Sequence, residues 1–118
     1  MRAAEAAEPA TIDTLEAIYQ FREPEEVRAY LARNPDLIDL LVEGVRKIPT
    51  FLPSDEPIIL EVVSDPEDES DSGGLVAIVR TTLGWKEVRT RMDRLLREWL
   101  ITAGRQAFGR FGVSVEYC

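Results

Sequence analysis

The sequence contains no histidine. That absence removes Ser-His-Asp and Cys-His nucleophile systems and every histidine-ligated zinc, iron or haem site. One cysteine is present, Cys118 at the last position. A lone thiol makes neither an internal disulfide nor a zinc cluster, so cohesion must come from packing, as in a reducing compartment. No apolar run approaches the roughly 20 residues that span a bilayer, and MRAAEAAEPA lacks the apolar stretch of a secretory signal. The expectation is a cytoplasmic protein without membrane contact.

Glycine is also scarce where chemistry would need it. Gly73-Gly74 and the series Gly104, Gly109, Gly112 match no phosphate-cradling fingerprint, because neither has the spacing or the strand-to-helix context. They read as turn residues, and no cofactor is expected.

What is present is the balance of a globular domain: 118 residues, 45% hydrophobic and 31% charged. That length buries one hydrophobic core and not two. The net charge of −8 is unevenly placed, with 18 acidic and 6 basic groups in residues 1–71 but 4 acidic and 8 basic in residues 72–118. Such asymmetry either attracts a basic partner to the first part or lets the two parts attract each other within one fold; the second reading is favoured.

Along the chain, residues 1–10 read as a disordered leader, and residues 11–118 as a single domain. Ile12, Leu15, Ile18 and Tyr19 have the spacing of a short first helix. Pro24, followed by Glu25 and Glu26, starts a second helix carrying Val27, Tyr30 and Leu31 and ending at Arg33. Asn34 as N-cap and Pro35 in the first turn start a third helix, with Leu37, Leu40, Leu41, Val45 and Ile48 on its stripe and Pro49 as its stop. Ile58 to Val63 and Leu75 to Thr82 have strand composition, and the polar turn between them predicts an antiparallel hairpin. Gly84 to Leu100 is the clearest helix, with Val88, Met92, Leu95, Leu96, Trp99 and Leu100 on its apolar stripe. Val113, Val115 and Tyr117 alternate with Ser114 and Glu116 as a last, half-buried strand. The expected fold class is α+β, N-terminal helices followed by β-β-α-β, with the helices packed on one face of a small, mainly antiparallel sheet.

Strand alternation then sorts the faces. If Ile58, Leu60 and Val62 face the helices, Ile59, Glu61 and Val63 face away with Val76, Ile78 and Arg80, joined by Ser114, Glu116 and Cys118. A face mixing apolar and charged residues is a candidate association surface, unless the N-terminal helices cover it. Trp99 reads as core, whereas Trp85 becomes an interface anchor if exposed. The partner-binding set is therefore Ile59, Glu61, Val63, Ile78, Arg80, Trp85 and Glu116, with a homodimer or another protein as partner.

Other constellations are weaker. The acidic turn from Asp65 to Asp71 lacks the ligand spacing and central glycine of a calcium loop, and reads as solvated. Arg89, Arg91, Arg94, Arg97, Arg105 and Arg110, with Phe108 and Phe111, could contact nucleic acid, but the acidic total and the nearby Glu87, Asp93 and Glu98 favour a solvated helix face. Glu61 and Glu116 as paired carboxylates would suit acid-base chemistry only within a cleft.

The stretches NPDLIDLLVEGVRKI, IILEVVSDPEDES, LVAIVRTTL and REWLITAGRQAFGRFGVSVEYC resemble a group of small uncharacterised bacterial proteins with LEVVSDPE-like and IRT-like strands, over roughly residues 25–118. Those motifs are structural and carry no activity. Where that group has a serine-proline helix start, this chain has Gly84-Trp85. The resemblance implies one partner of a toxin-antitoxin-like gene pair. The expected function is a non-enzymatic protein-binding or regulatory module, antitoxin-like in the sense of that resemblance, acting through a sheet face or edge. A nucleic-acid contact protein using the arginine helix and a carboxylate-based enzyme are the alternatives.

Overall fold

The computed structural model describes residues 11–63, 74–103, 105 and 110–117. The leader 1–10, the acidic turn 64–73, Phe108 with its flanking glycines Gly104 and Gly109, and Cys118 lie outside the described residues. In chain order the elements are α1 (Ile12–Ile18), β1 (Gln20–Phe21), α2 (Pro24–Arg33), α3 (Leu37–Phe51), β2 (Ile59–Val63), β3 (Gly74–Thr81), α4 (Trp85–Leu95), a π-helical turn (Leu96–Leu100), α5 (Ile101–Ala103) and β4 (Phe111–Tyr117). The class is α+β, as expected.

Each helix starts for a local reason. Thr11 and Thr14 form a reciprocal cap on α1, with Thr14 N donating to Thr11 Oγ1 at 3.2 Å and Thr11 N donating to Thr14 Oγ1 at 3.3 Å, which satisfies two otherwise orphaned donors. Pro24 opens α2 after Glu23, which sits in the left-handed region at φ 54°. At the next junction the structure corrects the expected cap. Asn34 ends α2 instead of capping α3: its N–H donates to Leu31 O at 3.1 Å and its Nδ2 to Tyr30 O at 2.9 Å. Pro49 does not stop α3 either, because it falls in the last turn and the helix runs on to Phe51. A proline there breaks only one late bond of the ladder, and the buried stripe Leu37, Leu40, Leu41 and Ile48 holds the preceding turns.

The sheet is mixed, not mainly antiparallel, with strand order β1-β2-β3-β4. Only the central pair β2–β3 is antiparallel, with Ile59 opposite Ile78 and Leu60 opposite Ala77. β3 and β4 are parallel, Leu75 opposite Phe111 and Val79 opposite Val115. The reason is topological: α4 carries the chain back along the sheet, so the next strand enters in the same direction as the one it left. β1 is parallel to β2 for the same reason, with α2 and α3 as the crossover. Its two residues, held by Gln20 N to Ile58 O and Arg22 N to Leu60 O at 2.9 Å each, carry too little pattern to announce a strand.

One core lies on one side of this sheet. Leu60, Leu75, Ala77 and Val79 pack with Leu15, Val27, Leu31, Leu41, Ile48, Leu95 and Trp99, and Val62, Val113 and Val115 border them. The sheet's inner face is thus the one holding Leu60, as the alternation predicts. At the π turn Ile101 N bonds to Leu96 O, five residues back. This wider turn keeps Leu95 and Trp99 buried together while Leu96 stays at the surface. Trp99 Nε1 is buried without a hydrogen-bond partner. Gly44 on α3 lets the helices close here: a Cβ on it would lie 3.1 Å from Tyr19 Oη and 3.3 Å from Trp99 Cη2. Among the described residues, no helix is long and apolar enough to cross a membrane.

Candidate protein-binding surface

The outer face of the sheet carries the residues the alternation assigns to it. Register puts Gln20, Ile59, Ile78 and Ser114 in one row, Glu61, Val76 and Gly112 in the next row on one side, and Arg80 with Glu116 on the other. This face is not a bare apolar patch. Ile59 is 1% exposed and Ile78 8%, although neither belongs to the helical core.

Ion pairs cross the row that holds these two isoleucines. Arg22, just beyond β1, places NH1 3.3 Å from Glu61 Oε1 and 3.2 Å from Glu116 Oε2, with NH2 3.4 Å from Glu116 Oε1. Arg80 Nε lies 3.6 Å from the same Glu116 and its NH1 3.0 Å from Glu56 Oε1. Hydrogen bonding to Glu116 is the main cause that lifts the Arg22 guanidinium above its usual range. The long stem of an arginine can cover apolar surface while its head stays wet. Glu61, Arg80 and Glu116 are therefore engaged with one another's partners, and they leave little free surface for an association partner.

Trp85 is elsewhere. It opens α4, on the helix side of the sheet, and is 60% exposed. The condition set for it as an anchor is met, although it shares no surface with Glu61 and Arg80. Lys86 Nζ stands 5.5 Å from its ring centroid. Val63 is exposed at the end of β2. Thus Ile59, Glu61, Ile78, Arg80 and Glu116 come together on one face, while Trp85 belongs to a different surface.

That other surface is an open groove of about 810 Å³ lined by Trp85, Val88, Arg89, Thr90, Met92, Asp93, Leu96 and Tyr117. Trp85, Val88, Met92 and Leu96 recur at the spacing of one helix face, and Tyr117, 54% exposed, faces them from the end of β4. Sequence reasoning missed Tyr117 and Leu96 because both were placed on core-facing stripes. The only available signal was that the stripe from Val88 to Leu100 is too wide for one helix to bury.

The groove runs beside the free edge of the sheet. Among the described residues β4 has a single neighbour, β3. Leu75 N donates to Arg110 O at 2.8 Å. In a parallel ladder this phase turns the backbone groups of residues 110, 112, 114 and 116 toward β3, and those of Phe111, Val113, Val115 and Tyr117 outward. The start of β4 is anchored by Arg110, whose NH2 lies 2.7 Å from Asp36 Oδ2 and whose NH1 lies 3.0 Å from Asn34 Oδ1. That hydrogen bond from Arg110 holds the Asp36 carboxyl below its ordinary range.

The arginine helix is mostly self-compensated. Arg91 pairs with Glu87 at 2.7 Å, Arg94 with Glu98 at 2.9 Å and Arg97 with Asp93 at 2.8 Å, each one turn apart. Arg89 makes no ion pair with a described residue, and it lines the groove. Among the described residues there is no group of three His, Cys, Asp or Glu that could hold a metal ion. Comparison with known proteins finds no matching family, no curated relative and no matching solved structure.

Proposed function

We propose that this chain is a non-enzymatic protein-binding module whose working surface is the free edge of β4 together with the groove against α4. An extended segment of a partner protein adds there as a further strand and lays its alternate side chains against Trp85, Leu96 and Tyr117. The observation that carries this reading is the seven-residue unpaired edge, which contains no proline or lysine to discourage pairing, beside exposed aromatic and aliphatic groups. A solvent-facing edge of this kind is a template for another strand.

The edge is preferred to the outer face because the ion pairs of Arg22 and Arg80 already occupy that face. It is preferred to nucleic-acid binding because three of the helix arginines are committed to neighbouring carboxylates. A neutralising role of the sort implied by the resemblance would be exercised through this same edge, by covering a partner's own strand.

The test is a titration of dilute, isotope-labelled chain with a synthetic peptide of the β4 sequence, Phe-Gly-Val-Ser-Val-Glu-Tyr. The reading requires resonance shifts confined to Phe111–Tyr117 and the groove residues of α4, and their loss in Trp85→Ala. Shifts confined to the Glu61, Arg80 and Glu116 face, or none at millimolar peptide, would refute it.

A further inference from the structure

We infer that the strand added to β4 is β4 of a second copy of this chain, paired antiparallel about Ser114, so that Phe111 faces Tyr117 and Val113 faces Val115 of the other copy. The inference rests on the edge reading above and specifies its partner.

The hydrogen-bond phase supports this register. In an antiparallel ladder, hydrogen-bonded pairs must join residues whose backbone groups both point outward. On β4 these are Phe111, Val113, Val115 and Tyr117, the positions that alternate with those bonded to β3. Centring the pair on Ser114 matches every outward group of one copy with an outward group of the other. A shift by two residues in either direction leaves a terminal pair unmatched, and a shift by one sets outward groups against inward ones.

Side chains agree with that register. On the helix side Phe111 meets Tyr117 and Val113 meets Val115, aromatic with aromatic and β-branched with β-branched, the cross-strand pairs that stabilise sheets. On the outer side Ser114 meets its own copy and Gly112 meets Glu116. Glycine adds no charge opposite Glu116, which stays with Arg22 and Arg80. The two Glu116 carboxylates stand at opposite ends of the pair.

The groove supplies a second contact. A two-fold axis through Ser114, perpendicular to the sheet, keeps both α4 helices on the same face and sets them side by side and antiparallel. The stripe of Trp85, Val88, Met92 and Leu96 then meets the same stripe. Arg89 and Asp93, one helical turn apart on the groove wall, come opposite each other's counterparts in the other copy. Arg89, which has no ion-pair partner among the described residues, gains one. An isologous interface requires such self-complementarity, and here strand register, helix stripe and charge order all show it.

The experiment combines sedimentation equilibrium over a range of concentrations with cross-linking. Ser114→Cys in a Cys118→Ser background is oxidised and compared with Gln20→Cys in the same background, which lies in the same row at the opposite edge of the sheet. Facing Cα atoms of a non-hydrogen-bonded antiparallel pair lie about 4.5 Å apart, within disulfide reach. The inference expects a reversible dimer, rapid covalent dimer formation through residue 114, and none through residue 20. Amide exchange at Phe111, Val113, Val115 and Tyr117 should slow by ~10-fold or more between dilute and concentrated chain. Val113→Pro removes one outward donor without touching the bonds to β3, and Leu96→Lys spoils the helix contact on an exposed position. Each should shift the equilibrium to monomer with an unchanged circular dichroism spectrum. A chain that stays monomeric and fails to cross-link through residue 114, yet binds the β4 peptide at its edge, overturns the second-copy inference and leaves the edge reading standing. Failure of the peptide as well removes both. A dimer that cross-links through residue 20 overturns the inference directly.

Discussion

Arg22 and Glu116 meet across the full width of the sheet, from the first strand to the last, with NH1 to Oε2 at 3.2 Å and NH2 to Oε1 at 3.4 Å. The pair passes over β2 and β3, along the row where Ile59 and Ile78 are buried. Two kinds of stabilisation are superposed there, and mutation can separate them. Ile59→Ala removes buried hydrocarbon and should cost roughly 2–4 kcal/mol in urea denaturation. Arg22→Met keeps a stem of similar length and loses the charge, so it should lower the midpoint far less than Arg22→Ala. Equal losses for Met and Ala would show that the ion pairs, not the covering stem, matter.

Tyr19 sets an alkaline limit. Its hydroxyl donates to Leu41 O within the core, and burial pushes its pKa well above the ordinary 10.0. The unfolded chain ionises this group near its ordinary value, whereas the folded chain keeps it neutral. Stability is therefore full below pH 10 and declines as pH rises beyond it. Phenolate absorbance should show one of the 3 tyrosines ionising only together with loss of near-ultraviolet circular dichroism. In Tyr19→Phe that coupling should vanish, at a cost of about 1 kcal/mol for the lost hydrogen bond.

Gly44 is a spacing residue. Its missing Cβ leaves 3.1 Å to Tyr19 Oη and 3.3 Å to Trp99 Cη2. Both rings are buried, and the tyrosine is held by its bond to Leu41, so neither yields readily. Gly44→Ala should gain about 1 kcal/mol of helix propensity but lose more through overpacking, ~1–3 kcal/mol. Thermal unfolding should show a net destabilisation. A raised midpoint would mean that the α3–α4 contact is looser than described.

The ordering of the edge depends on one carboxylate. Asp36 is held below its ordinary value of 3.8 by the hydrogen bond from Arg110. A depressed folded-state pKa contributes stability that is present above 3.8 and is lost as pH falls through the lower folded value. Asp36→Asn should flatten the acid limb of the stability profile below that point and speed amide exchange at Phe111 at neutral pH. An unchanged acid limb would exclude the pair as an anchor.

The elements legible in the sequence were those with a long periodic signal. Leu37 to Ile48, Ile58 to Val63, Leu75 to Thr82 and Val113 to Tyr117 all fall on the expected element types, and the expected facing of Glu61, Arg80 and Glu116 follows from strand alternation alone. β1 was not legible, because Gln20 and Phe21 extend only by borrowing bonds from Ile58 and Leu60. The mixed character of the sheet was implicit in a helix linking the last two strands, but alternation within a strand does not report its direction. Asn34 fits two capping roles, and the choice was made by Tyr30 O and Arg110, which are distant from any local pattern. The partner-binding set divided for a related reason. Strand pattern tells which way Ile59 points, but not that an arginine from another strand stands beside it. Trp85 was identified with its exposure left open, whereas its companion Tyr117 is known only once β4 is placed at an edge.

The π turn makes the spacing of this helix intolerant of length changes. Ile101 N reaches Leu96 O because one residue more than an α-helix accommodates lies between them. Deleting a single residue from Leu96–Leu100 would restore a regular ladder, yet it would also swing everything after it by about 100° around the helix axis. Homologous chains that keep Trp99 inward are thus bound to carry this stretch without insertion or loss.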